Sequence, residues 1–189
     1  GFTPEVLTNA TAELTIGLVL DLLRRISEGD RIIRHKKWNQ IYGAHDYTGV
    51  EISGKTIGIM GMGRIGREVA KKAMGLGMNV IYHSRKRISK SVESRLKAKY
   101  VSESILYQKS DIVSLHVPYT KYTYHLMNSK NFKKMKKTSF LINTSRGKIV
   151  NERDLVIALK KKQIRGAGLD VYELEPLKKN SPLLSLENV

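Results

Sequence analysis

The chain has 189 residues, of which 41% are hydrophobic and 27% charged, proportions that fit a globular domain and exclude wholesale disorder. Lys and Arg number 34 against 17 Asp and Glu, and the net charge of +17 favours a polyanionic or phosphorylated partner. The absence of cysteine excludes disulfides, a Cys-ligated zinc site and a Cys nucleophile. We predict no metal site. No apolar run is long enough to span a membrane and no secretion signal is evident, so we expect a cytoplasmic protein without a membrane partner.

The first predicted element is an apolar helix from Ala10 to Ile26. Its apolar residues cover most of the helix circumference, and a helix of this kind must be buried on nearly all sides. Packing inside one domain and packing against a second subunit both remain open. A more polar helix is predicted from Arg31 to Trp38, and a glycine-containing loop from Asn39 to Gly54.

From residue 55 onward the pattern alternates between strand and helix. Strands are predicted at 55–60, 79–83, 99–101, 111–117, 139–143 and 165–171, and helices at 64–76, 89–97, 103–108, 127–135 and 152–162. This alternation predicts an α/β fold, a doubly wound parallel sheet with helices on both faces.

A glycine-rich loop joins the first of these strands to the helix after it. The sequence G-x-G-x-x-G immediately after a strand and at the start of a helix is typical of Rossmann-type dinucleotide sites. The first glycine permits a tight turn, the second lets the backbone approach a pyrophosphate, and the third lets the helix pack closely on the strand. The helix N-terminal amides then face the pyrophosphate. The predicted contacts are Gly61, Met62, Gly63, Arg64, Ile65 and Gly66.

The end of the second strand indicates which dinucleotide binds. NAD-binding units usually place an acid here to accept a hydrogen bond from the ribose 2′-hydroxyl. This chain has Ser84 followed by Arg85, Lys86 and Arg87, with no acid among them. Serine and arginine can bind and neutralise a 2′-phosphate, which a carboxylate would repel. The sequence therefore favours NADP(H), while NAD(H) remains possible and a merely solvated basic loop is the alternative.

Taken together, these motifs resemble the nucleotide-binding domain of the D-isomer-specific 2-hydroxyacid dehydrogenases, and most closely the glyoxylate/hydroxypyruvate reductase branch. The resemblance covers essentially the whole chain. Its marks, in order, are 10–14, 54–59, 61–66, Ser84-Arg85, Val117-Pro118 with Thr120 and Thr123, 143–147, 166–171 and Glu175-Pro176.

The resemblance implies hydride transfer between nicotinamide and a small 2-keto or 2-hydroxy acid. It implies that Arg146 binds the substrate carboxylate and polarises the carbonyl, and that Glu175 is the acidic partner of a catalytic histidine. Asp170 would position the nicotinamide carboxamide. The other residues expected beside the cofactor are Val117, Pro118, Thr123, Thr144 and Ser145. The resemblance also implies a homodimer formed through a helix at 10–28.

Two parts of the family pattern have no counterpart in this sequence. The catalytic histidine belongs to a segment downstream of Glu175 that is not found before Val189, and the N-terminal substrate domain is not found either. We therefore expect residues 1–189 to be one NAD(P)-binding domain of a longer enzyme, inactive by itself. His125, in a turn, is expected at the surface.

Two alternative functions remain open. A phosphoglycerate or D-lactate type of dehydrogenase would share the same domain. A non-catalytic, nucleotide-sensing co-repressor would keep the cofactor site without the reaction. Nucleic acid is not expected as a partner, because the lysines are dispersed and no aromatic residues interleave them as a stacking platform.

Overall fold

The computed structural model describes residues 4–35, 38 and 47–189. Seven α-helices and six strands are found in these ranges: α1 Pro4–Arg24, α2 Ile26–Arg34, β1 Thr56–Met60, α3 Arg64–Gly75, β2 Asn79–His83, α4 Lys90–Arg95, β3 Ala98–Tyr100, α5 Glu103–Lys109, β4 Ile112–Leu115, α6 Ser129–Phe132, β5 Phe140–Asn143, α7 Glu152–Lys160 and β6 Gly166–Leu169. Short 3-10 helices lie at Gly147–Ile149 and Pro182–Ser185. The predicted loop at 39–54 falls largely outside the described residues.

The six strands form one parallel sheet in the order β3-β2-β1-β4-β5-β6. This confirms the doubly wound α/β fold predicted from the alternating pattern. Side chains alternate across β1, and the two faces of the sheet carry separate apolar cores. Ile57 and Ile59 pack on the side of α1 and α3, whereas Met60 packs on the side of α5 and α7. Helices therefore cover both faces.

Capping side chains explain where several helices begin. Ser89 accepts a hydrogen bond from the amide of Val92 at the start of α4, and Ser102 accepts one from Ile105 at the start of α5. Asn151 accepts one from Asp154 at the start of α7. Each cap satisfies an amide that has no partner inside its own helix.

The N-terminal helix differs from its prediction in both length and burial. It begins at Pro4 and ends at Arg24, because Arg25 takes a left-handed conformation with φ of 57° before α2 starts at Ile26. Ala12, Val19 and Leu23 are buried, but Leu14 is 42% exposed. The expectation of burial on nearly all sides is therefore wrong for the single chain. No described helix is both long and apolar enough to cross a bilayer.

Two other predicted helices also have different bounds. The helix expected at 31–38 is observed as α2 over Ile26–Arg34. The helix expected at 127–135 shortens to Ser129–Phe132, since Met127 instead makes a parallel bridge with Val150 and Asn128 caps the turn. Backbone pairing with a distant segment overrides helix propensity here.

Candidate cofactor-binding site

The predicted site residues follow directly after the ends of neighbouring parallel strands. Met60 pairs with His83 on one side and with Leu115 on the other, and the pairing continues through Asn143 to Leu169. The residues that come next in the chain therefore lie along one edge of the sheet. They are Gly61, Ser84, His116, Thr144 and Asp170. The chain reverses its winding direction between β1 and β4, and ligands of open α/β sheets bind at such a switch point.

The glycine loop has the geometry that a dinucleotide site requires. Gly61 has φ of +98°, and a β-carbon on it would lie 2.5 Å from the carbonyl oxygen of His116. A β-carbon on Gly66 would overlap the carbonyl oxygen of Gly61, so α3 can approach β1 only with glycine here. A β-carbon on Gly63 would meet nothing within 4 Å. The loop thus leaves open space beside the N-terminus of α3, where an anionic pyrophosphate would be stabilised.

The remaining loop residues divide into a buried and an exposed set. Met62 is 4% exposed and belongs to the core, so its side chain is not available to a ligand. Arg64 is exposed at the first position of α3, and Ile65 is half-buried behind it. The first turn of α3 carries no acidic side chain to repel a phosphate.

The loop after β2 lies beside the glycine loop. The amide of Gly61 donates to the carbonyl of His83 at 2.8 Å, which places Ser84 next to the turn. Ser84 is half-buried, and its hydroxyl donates to the carbonyl of Lys86 at 2.8 Å. Arg85 and Lys86 are exposed, and within the described ranges neither side chain pairs with a carboxylate. Two exposed cations therefore follow Ser84 in the loop that lies next to the glycine turn.

Arg87, the third cation after β2, is engaged elsewhere. Its Nε and a terminal nitrogen donate to the two carboxylate oxygens of Glu93 at 2.8 and 2.7 Å. The expectation that this cation, too, serves a cofactor phosphate does not fit the observed contacts. The sequence does not predict the pairing of Arg87 with Glu93, because Glu93 lies in the next helix, six residues further along the chain.

The segment after β4 lines the other side of the glycine loop. A β-carbon on Gly61 would lie 2.9 Å from Val117 Cγ1, so Val117 packs directly against the turn, and Pro118 beside it is exposed. The Thr123 hydroxyl donates to the carbonyl of Pro118 at 2.7 Å and accepts from the amide of Thr120 at 2.7 Å. The Thr123 side chain therefore stabilises the turn between Pro118 and Thr123. Its predicted direct contact with a cofactor would compete with both hydrogen bonds.

The segment after β5 holds two hydroxyl residues in different roles. Thr144 is 7% exposed, and its Oγ1 lies 2.8 Å from Oγ1 of Thr15 in α1. Its hydroxyl therefore contacts α1, and the placement of Thr144 beside the cofactor stays a prediction. The Ser145 amide and hydroxyl both donate to the Asn143 side-chain oxygen, at 3.1 and 2.9 Å. These two bonds form a local turn that fixes the backbone immediately before Arg146.

Arg146 and Glu175 are carried by segments that pack against each other. A β-carbon on Gly147 would overlap the carbonyl oxygen of Tyr172, so the two backbones touch. Glu175 accepts from the amide of Tyr172 at 3.0 Å, and both Arg146 and Glu175 are exposed. Among the described residues no carboxylate pairs with the Arg146 guanidinium, which donates to the Ser145 carbonyl at 2.6 Å. Arg146 thus retains donors for an external carboxylate.

Asp170 lies at the same edge of the sheet. Its amide donates to the carbonyl of Asn143 at 3.0 Å, which continues the pairing of β5 with β6 by one residue. The side chain is exposed. This position agrees with a ligand-facing role, and the structure holds the backbone in place through strand pairing.

Two histidines near this edge have environments that sequence alone does not give. His116 is half-buried, its Nε2 lies 2.8 Å from Ser114 Oγ, and desolvation lowers the pKa of its imidazole to about 4. It is therefore neutral at physiological pH. His125, expected at the surface, is half-buried, and its Nε2 lies 2.8 Å from Glu173 Oε1. Since these partners are 48 positions apart, no local pattern could have indicated the contact.

Comparison with known proteins gives consistent matches over the whole chain. The profile of the "D-isomer specific 2-hydroxyacid dehydrogenase, NAD binding domain" matches residues 16–189. A glyoxylate reductase of Thermofilum pendens is 47% identical over 188 residues, which cover 99% of this chain and 55% of that protein. The chain therefore spans about half the length of the curated relatives it matches.

Solved structures give the same picture at the level of the fold. A protein of Thermus thermophilus superposes with a TM-score of 0.91 and 41% identity, covering 98% of this chain and 57% of that one. An acyclic imino acid reductase in complex with NADPH and D-Arg superposes with a TM-score of 0.84 and 36% identity, covering 96% and 56%.

Proposed function

Because the chain belongs to the D-isomer-specific 2-hydroxyacid dehydrogenase family through its NAD-binding domain, we propose that residues 1–189 form the coenzyme domain of an NADP(H)-dependent oxidoreductase. The reaction is hydride transfer between nicotinamide and a small 2-keto or 2-hydroxy acid. The observation that carries the proposal is the shared sheet edge, along which lie an open glycine loop, a cationic loop and, two strands away from the glycine loop, an arginine with donors to spare.

The cofactor preference rests on the loop after β2. Arg85 and Lys86 offer two exposed positive charges in the loop next to the glycine turn, whereas the Ser84 hydroxyl would have to leave the Lys86 carbonyl to donate to a phosphate. A 2′-phosphate is doubly ionised near neutral pH and gains most from such charge-assisted contacts. The NADPH complex of the imino acid reductase supports the same preference by analogy. NAD(H) would bind the same glycine loop without using these cations.

The substrate assignment rests on the segments that carry Arg146 and Glu175. The guanidinium can bind a carboxylate through two parallel hydrogen bonds and thereby orient the adjacent carbonyl. Glu175 would orient and tune the imidazole that protonates the developing alkoxide. The curated relatives named glyoxylate reductase favour glyoxylate, with hydroxypyruvate as a close analogue. The nicotinamide supplies the hydride when bound.

Substitution of Arg146 tests this assignment in the protein that contains the domain. We expect Arg146→Gln to lower kcat/KM for glyoxylate by about 100-fold, the typical cost of losing one preorganised electrostatic donor. Arg146→Lys keeps the positive charge but loses the two parallel donors of the guanidinium, so its kcat/KM should lie between those of the wild type and Arg146→Gln. The Kd for NADPH should not change. Lys148→Gln, which removes an exposed cation two residues further on, is the matched control. Normal turnover by Arg146→Gln would exclude Arg146 as the substrate-binding residue.

The quaternary structure and location are part of the same proposal. We propose a homodimer formed through α1, whose Leu7 and Leu14 side chains are 50% and 42% exposed in the single chain. Burial of such apolar groups against a second copy would remove them from water. A protein of this family acting on small soluble acids would work in the cytoplasm.

A further inference from the structure

A layer of side chains lies beneath the loop that follows β2. Tyr82 is fully buried, and its hydroxyl accepts a hydrogen bond from the amide of Ile88 at 3.2 Å. The same hydroxyl donates to Glu93 Oε1 at 2.6 Å. One buried phenol therefore connects the end of the loop to α4.

Glu93 is the centre of this layer. Its side chain is only 11% exposed, and it accepts the Tyr82 hydroxyl together with both donors of the Arg87 fork. These contacts lower the pKa of the Glu93 carboxyl to about 2, first through the Arg87 hydrogen bond and then through Tyr82. The carboxylate is thus ionised and fully paired at working pH, and we call Tyr82, Arg87 and Glu93 the Glu93 clamp.

The start of the loop is held separately. The Tyr100 hydroxyl donates to the carbonyl of Ser84 at 3.4 Å, and the Arg87 guanidinium carbon lies 5.5 Å from the Tyr100 ring centroid. The loop between Ser84 and Ile88 is therefore fixed at both ends. Arg85 and Lys86, in its middle, are exposed, and neither pairs with a carboxylate of the described residues.

We propose that the Glu93 clamp sets the preference for NADP(H) over NAD(H) without touching the cofactor. It holds the loop between Ser84 and Ile88 in the shape that presents the exposed cations Arg85 and Lys86 to a 2′-phosphate. It also covers the carboxylate of Glu93 with the guanidinium of Arg87, so that this acid does not repel the phosphate. Tyr82, Arg87 and Glu93 are positioning residues. This inference rests on the proposed NADP(H) preference.

The direction of the effect separates this proposal from its simplest rival. If Arg87 were a phosphate ligand that only rests on Glu93, removal of the Glu93 charge would release Arg87 and strengthen NADPH binding. If Arg87 is part of a clamp, the same change loosens the loop and weakens NADPH binding. NADH, which lacks the 2′-phosphate, should be indifferent to the loop in either case.

The experiment is a calorimetric titration of NADPH and NADH with the wild-type chain, Glu93→Gln and Tyr82→Phe. We expect both variants to raise the Kd for NADPH by about fivefold or more, the lower end of typical coupling between sites, and to leave the Kd for NADH unchanged. Glu28→Gln is the matched control, since Arg25 makes an equivalent two-point pair with Glu28, at 2.7 and 2.6 Å, in a different part of the fold. Circular dichroism checks that each variant is folded.

The other outcomes each have a definite meaning. An unchanged or lower Kd for NADPH in Glu93→Gln overturns the clamp, as does an equal loss of both cofactors, which would indicate a merely structural role. A wild-type chain that shows no preference for NADPH would overturn the proposed function itself. If the wild type prefers NADPH and both variants keep the same ratio of the two Kd values, only the clamp is overturned.

Discussion

The glycines of the loop between β1 and α3 are required for different physical reasons. Gly61 needs a positive φ, which other residues adopt only with strain. Gly66 needs to lack a β-carbon because the Gly61 carbonyl occupies that space. Gly63 has no such structural requirement, since a β-carbon there would meet nothing within 4 Å. Among these three positions, only Gly63 requires glycine for the sake of a bound ligand and not for the fold.

This difference predicts opposite behaviour for two alanine variants. Gly66→Ala should lower the free energy of unfolding by about 1–3 kcal/mol or more, the usual cost of overpacking, as measured by urea denaturation. Gly63→Ala should unfold like the wild type but bind NADPH more weakly, because its methyl group enters the space for the pyrophosphate. Equal stability of Gly66→Ala and the wild type would show that α3 can move away from β1.

Several residue roles could be predicted from the sequence, and others could not. The glycine positions were predictable, because the motif encodes its own local geometry. The resemblance places Thr144 beside the cofactor without indicating that its hydroxyl contacts the hydroxyl of Thr15, 129 positions away in the chain. The pairing of His125 with Glu173 was equally unpredictable from the sequence. Such contacts depend on which helices and loops meet across the sheet, and no local pattern records that.

At the scale of elements, the attachment of α1 to the sheet has a polar component within an apolar interface. Thr15 is fully buried and donates to the carbonyl of Thr11 at 2.8 Å. Its single proton is thereby used, so Thr144 must be the donor in the 2.8 Å contact between the two hydroxyls. The Thr15 oxygen is therefore the acceptor that satisfies a buried hydroxyl of the next segment.

This arrangement predicts an unequal pair of valine variants. Thr15→Val should cost about 1–3 kcal/mol in the free energy of unfolding, because it leaves the Thr144 donor buried without this acceptor. Thr144→Val should cost less, since Thr15 keeps its bond to Thr11. The double variant should cost less than the sum of the two. Thr11→Val, which removes a similar intrahelical bond to Leu7 at 2.7 Å, is the control. Strictly additive costs would contradict a direct bond between the two hydroxyls.

Some strands and helices were predicted at nearly their observed bounds, and two helices were not. β2 was predicted at its observed bounds, and β5 to within one residue, because buried parallel strands require short continuous apolar runs. The predicted ends of the N-terminal helix and of α6 are wrong. Arg25 breaks the first helix through a left-handed conformation, and Met127 leaves the second for a bridge. Neither event has a local sequence signature.

For the whole molecule, the structure changes the meaning of the charge of +17. Arg87 is neutralised by Glu93, and Lys72 and Lys136 also lie within ion-pair distance of acids. In the proposed function, the cations that act are those at one sheet edge: Arg85 and Lys86 in the loop next to the glycine turn, and Arg146 further along. These cations share one edge because of the register of the strands. The sequence predicted the parallel sheet but not this register.

The central claim is that this edge of the sheet binds NADP(H) in preference to NAD(H). A side-by-side calorimetric titration of the wild-type chain with NADPH and NADH, at fixed salt, tests it most directly. We expect NADPH to bind at least about tenfold more tightly, the equivalent of one good charge-assisted contact. A tighter Kd for NADH, or no binding of either dinucleotide at millimolar concentration, would contradict the account.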